Sequence, residues 1–208
     1  MKRAGLMLWL MALVYAAQAQ QDSSWVRYQG GFDFREGIYQ DFAAFRQNTP
    51  SIALEKLSDE QGSAIHDIRR TERFFHVDST GQRREIELDK TWGFCNNNIV
   101  YLRAGDGFYR IGLMGALCHV LFEYSYRQFD PYYGIGTTTQ TVQVQYLLDM
   151  SSGAFVPFND AGMGQAIAGD IIMKEEWDHL GKKQRRKPEV LHQYMRRYND
   201  RHPLYFPP

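Results

Sequence analysis

Four successive spacings of apolar residues divide this 208-residue chain. The first is continuous: after Lys2 and Arg3 comes an apolar run from Gly5 to about Ala17, followed by Ala17-Gln18-Ala19. A short positive stretch, about a dozen apolar residues and small residues at −3 and −1 predict a cleavable signal peptide over 1–19, cut between Ala19 and Gln20. The run is too short for a helix that crosses a bilayer core, which takes roughly 20 residues. The polar, glycine-tipped stretch 20–35 reads as a flexible leader.

The second spacing is helical. Ile38, Phe42 and Phe45 lie at i, i+4 and i+7 within Glu36–Gln47, and Asn48-Thr49-Pro50 stops the stripe. The third spacing is two. Arg73–Asp78 and Arg83–Leu88 flank a turn at Ser79-Thr80-Gly81-Gln82, and Trp92–Cys95 and Ile99–Leu102 flank Asn96–Asn98. Phe108–Leu113, Ala116–Tyr126, Thr141–Met150 and Ala154–Phe158 continue the alternation. In the longest run Cys118, Val120, Phe122, Tyr124 and Tyr126 share one face, with His119, Leu121, Glu123 and Ser125 on the other. The fourth spacing is helical again. It predicts one helix over Gln165–Leu180 and a second opened by Pro188, with Leu191, Tyr194, Met195 and Tyr198 as its apolar stripe. The terminal RHPLYFPP is extended and apolar enough to pack on the body.

Short turns between strands favour antiparallel pairing. The expected fold is therefore α+β: an antiparallel meander of about 7–8 strands, curved or partly closed into a barrel, with one buried and one wetter face. One short N-terminal helix and two C-terminal helices complete a single domain over 36–208.

Charge alters this picture little. Without residues 1–19 the chain carries 22 Lys+Arg against 24 Asp+Glu, which argues against a dedicated nucleic-acid binder. The distribution is uneven: residues 182–208 carry a net +6 and residues 20–181 a net −8. Attraction between acidic body and basic tail accounts for that, although the run Lys182–Lys187 could also touch anionic lipid or another protein. No later segment has 18 uninterrupted apolar residues, so no integral membrane segment is expected after cleavage.

The segments GIYQDFAAFRQNTPSI, WGFCNNNIVYL, FYRIGLMGALCHV and YNDRHPLYF together resemble uncharacterised exported proteins of Bacteroidota bacteria. The resemblance implies a bacterial envelope location, with the periplasm first and the cell exterior second, and it implies no activity.

Candidate chemistry is sparse. The mature histidines His66, His76, His119, His179, His192 and His202 have no partner at i+2 or i+4, and no zinc or calcium spacing is present, so no metal or cofactor is expected. Cys118 and His119 are adjacent and point to opposite faces of a strand. Cys95 and Cys118 could form a disulfide closing a 24-residue loop or remain buried free thiols. Ser151-Ser152-Gly153 reads as a turn and lacks the nucleophile-elbow pattern. Glu123 with Asp149 is a carboxylate pair only if the register unites them. Gly162-Met163-Gly164 has part of a phosphate-loop spacing and reads better as a glycine-rich start of a helix. Aromatics are abundant, 28 of 189 mature residues, and many fall on the sheet. The expected function is non-catalytic: an exported envelope protein binding a ligand or protein partner through an aromatic-rich sheet. The rival is a periplasmic hydrolase whose site assembles only in three dimensions.

Overall fold

The computed structural model describes residues 25–71, 73–105, 107–130 and 136–208, so the expected signal peptide and its Ala19–Gln20 cut lie outside the described residues. The strands are β1 (Val26–Arg27), β2 (Gly37–Tyr39), β3 (Ile52–Ala53), β4 (Leu57–Ser58), β5 (Phe75–Val77), β6 (Arg83–Glu85), β7 (Gly93–Asn96), β8 (Ile99–Ala104), β9 (Gly107–Leu113), β10 (Leu117–Asp130), β11 (Gly136–Asp149), β12 (Phe155–Pro157) and β13 (Tyr205–Phe206). The helices are α1 (Phe42–Arg46), α2 (Asp160–Ala166), α3 (Ile171–His179), α4 (Lys182–Arg185) and α5 (Pro188–Arg201).

The class is α+β, built on an open, antiparallel eight-stranded sheet in the order β12-β11-β10-β9-β8-β7-β2-β3. From β7 to β12 it is a simple meander. The β7–β8 turn is a tight one, with Asn97 at φ 51° and Asn98 at φ 56°, the backbone that two-residue hairpins need. The hairpin expected at 73–88 forms, but in its own three-stranded sheet, β4-β5-β6. Its place in the main sheet is taken by β2 and β3.

Where one buried and one wetter face was expected, both faces of the sheet carry apolar cover. Along the strands Tyr39, Cys95, Leu102, Ile111, Val120 and Leu148 point to one face. Phe34, Phe45, Leu204 and Phe206 cover them. The opposite face has two separate covers. At one end Ile38 and Phe94 pack on Leu57, Ile65, Ile68 and Phe74. At the other, Leu117, Leu147 and Val156 pack on Met163, Met173, Trp177, Leu191 and Met195 from the C-terminal helices.

Three local expectations are corrected. The stretch 20–35 is not a loose leader where it is described: β1 pairs with β13, and Tyr28, Phe32 and Phe34 join an aromatic cluster around Phe206. Its apolar residues find a partner 170 or more positions away, which no local pattern encodes. The N-terminal helix is shorter than Glu36–Gln47. Gly37–Tyr39 is a buried strand held between β3 and β7, and the helix starts only where Asp41 Oδ1 accepts from Ala44 N at 2.7 Å. The stretch Gln165–Leu180 is two helices, because Asp170 caps a fresh start through Met173 N at 3.1 Å. With α4, the C-terminal part holds four helices among the described residues.

Candidate functional site

The distal half of the β10–β11 ribbon carries the aromatic surface. Register pairs Phe122 with Val144, Tyr124 with Val142 and Tyr126 with Gln140, so these side chains share one face. That face continues from the core: Phe122 is buried and sits 5.3 Å from the Tyr109 ring, 5.4 Å from Tyr146, 5.7 Å from Phe155 and 6.4 Å from Tyr124. Beyond it the cover stops. Tyr124, Val142 and Tyr126 are 40–46% exposed, and with Phe155 on β12 opposite Leu148, 39% exposed, they form an apolar strip that the other described residues leave open. Tyr126 Oη donates to Gln140 Oε1 at 2.9 Å, and Tyr109 Oη donates to the Glu123 carbonyl at 2.5 Å. Desolvation and the nearby Tyr146 and Tyr109 raise the Tyr124 phenol, which therefore stays neutral.

The other face of the ribbon is a polar ladder. His119 Nε2 meets Gln145 Oε1 at 2.9 Å, Gln143 Nε2 donates to Glu123 Oε1 at 2.7 Å, and the Ser125 and Thr141 hydroxyls lie 3.0 Å apart.

Other sequence candidates disperse. Glu123 faces Gln143 while Asp149 faces Leu117, about 20 Å apart along the strand, so they form no carboxylate pair. Asp149 instead accepts from the Ser151 and Ser152 hydroxyls, each at 2.8 Å, which makes 151–153 a turn. Cys95 and Cys118 are buried and free. They lie on β7 and β10 with two strands between, about 14 Å of sheet width, beyond the reach of a disulfide. Burial pushes both thiols up to about 12, which leaves them inert. Gly162 and Gly164 lie inside α2: a Cβ on Gly162 would stand 1.9 Å from the Pro157 carbonyl, and one on Gly164 would meet the Trp177 indole at 3.0 Å. They permit close packing and cradle no phosphate. In the basic run, Arg185 pairs with Asp160 at 3.3 Å and the lysines stay exposed.

Two clusters arise that the sequence does not announce. The rings of His119, His192 and Phe158 pack within 4.7–5.3 Å of one another, and burial followed by the neighbouring His119 lowers the His192 imidazole. Asp170, 6% exposed, accepts from Arg201 Nε at 2.6 Å and from His202 Nε2 at 3.0 Å as well as from the cap amide. The Arg201 hydrogen bond leads in holding its carboxyl well below the usual range. His202 also stacks on Tyr198 beside a cavity of about 240 Å³ that Arg46, Asp149 and Ser151 help to line. The only local signal was Asp170 itself, a cap residue after Gly169. A larger open cleft of about 730 Å³ lies between Arg35, Glu36, Leu54, Glu55 and His66, with charges of both signs on its walls. Among the described residues no group of three or more His, Cys, Asp or Glu side chains is arranged to hold a metal ion, and no helix is long and apolar enough to cross a membrane.

No family model, curated protein or solved structure matches this chain.

Proposed function

We propose that the protein is an exported, non-catalytic binding module whose contact surface is the distal aromatic strip of the β10–β11 ribbon. The observation that carries this is the abrupt end of the cover. The same alternating face runs from Leu148, fully buried, to Tyr126, 46% exposed, and three large side chains, Tyr124, Val142 and Tyr126, are left open to water at its outer end. Tyrosine suits such a surface, because it offers ring area at low entropy cost with a hydroxyl for orientation. Export rests on the leader 1–19, and a bacterial envelope location rests on the resemblance given above.

A hydrolytic reading finds less support. The most site-like acid and imidazole, Asp170 and His202, are engaged with Arg201 and the α3 cap, and the nearby Ser151 hydroxyl donates to Asp149.

The test is site-specific photo-crosslinking in the native host. A photoreactive residue replacing Tyr124 or Tyr126 is expected to yield a discrete adduct, and one replacing Lys183 is not. No adduct from either tyrosine position, in a chain that accumulates normally, removes the reading.

A further inference from the structure

We infer that the outer edge of β11 is a self-pairing edge, through which two copies of this chain join their ribbons antiparallel into one sheet. The inference names a partner for the ribbon and rests on the reading above only in placing the contact there; it uses the backbone edge rather than the aromatic face.

Backbone direction comes first. Gln145 O accepts from Phe158 N, and Asp149 N donates to Ala154 O, so the odd-numbered residues of β11 aim their amides and carbonyls away from β10. β12 covers this edge only as far as Tyr146↔Pro157. The N–H and C=O groups of Thr139, Thr141 and Gln143 therefore point outward, and no described strand meets them.

An open edge is normally blocked by charge, proline, a bulge or short length. The ribbon treats its two edges differently. On β10 the Glu123 carbonyl is capped by the Tyr109 hydroxyl, and the strand carries Glu123 and Arg127. β11 has none of these devices: from Gly136 to Leu148 it contains no charged residue and no proline.

That neutrality selects the occupant. An isologous contact sets residue i against j and j against i, and a residue on the axis against its own copy, so a charge at the axis would repel itself. Here the axis can pass through Thr141. Thr141 then faces Thr141 of the other copy, Thr139 faces Gln143, and Val142 faces Gln140. Thr–Thr pairs are favourable across antiparallel strands, and about six backbone hydrogen bonds form. Val142 and Tyr126 of the two copies would then lie on one continuous face.

Sedimentation equilibrium of the mature chain, with charge-swapped variants at the axis, tests this. The wild type is expected to show a concentration-dependent monomer–dimer equilibrium. Thr141→Lys and Thr141→Glu, both at an exposed position, are each expected to weaken association at least tenfold. Mixing the two variants should restore dimers as a heterodimer, which simple loss of folding could not produce. A wild type that stays monomeric across the concentration series overturns the inference, as does a dimer indifferent to both substitutions. Crosslinks from Tyr124 or Tyr126 to a different protein would persist in that case, so the binding-module reading stands or falls separately.

Discussion

The two ends of the β10–β11 hairpin have the same alternation and opposite fates. At the closed end Leu117, Cys118, Val120, Leu147 and Leu148 are at most 1% exposed, clamped between the aromatic cover on one side and the helices on the other. At the distal end Tyr124, Tyr126 and Val142 keep the same phase along the same strands and stand in water. The difference teaches that alternation specifies which residues share a face, whereas burial depends on what arrives to cover it. The closed end belongs to stability and the open end to contact.

The largest effect should come from truncating one side chain at each end. Leu148→Ala is expected to cost about 2–5 kcal/mol of unfolding free energy, since it leaves a cavity under the aromatic cover. Val142→Ala should stay within about 0.5 kcal/mol, having no cavity to open. Urea unfolding of the two variants makes the comparison; equal losses would erase the distinction.

A middle-sized effect concerns how the helical cover is fastened to the closed end. Asn199 on α5 mimics a neighbouring strand: its Oδ1 accepts from Leu117 N at 2.7 Å and its Nδ2 donates to Leu117 O at 2.9 Å. Asn199→Ala strands both groups and is expected to cost about 1–3 kcal/mol, with faster hydrogen exchange at the Leu117 amide as the local readout.

The smallest effect is acid loosening of the same cover, in two steps. The imidazole of His192, on α5 against His119 and Phe158, is lowered, with Arg196 adding to the effect and Glu189 opposing it. The unfolded chain therefore takes up the proton more readily. Stability is full above the ordinary histidine value of about 6.5 and falls as pH drops from there through the folded value. Asp170 has the same sign at lower pH: its stabilisation is present above the ordinary carboxyl value of about 3.9 and is lost as pH falls below it. Urea midpoints measured against pH should show the first step vanish in His192→Leu and the second in Asp170→Asn. A profile unchanged by either substitution would separate these groups from the fastening of the helices.

Much of the fold was legible because it is local. The Asn97-Asn98 turn, the hairpin around Gly81, the phase of β10 and β11, and Pro188 opening α5 each follow from steric or hydrogen-bonding rules that span a few residues. Asp41 and Asp170 show the limit of that logic. Each caps a helix start inside a stretch that reads as one uninterrupted helix: before Asp41 the residues belong to a strand, and before Asp170 to a separate helix.

What the chain order alone decided is thus the strands of the meander from β7 to β12, their antiparallel succession and the division of each into two faces, since backbone sterics and side-chain alternation act between neighbours. Only the tertiary structure decided that 25–34 and 204–206 close over one face, that His119 meets His192 and Asp170 meets His202, that Cys95 and Cys118 stay apart, and that Tyr124 and Tyr126 remain uncovered. Those outcomes join residues many positions apart, where the competition among apolar surfaces for a limited area of sheet is settled by the whole molecule at once.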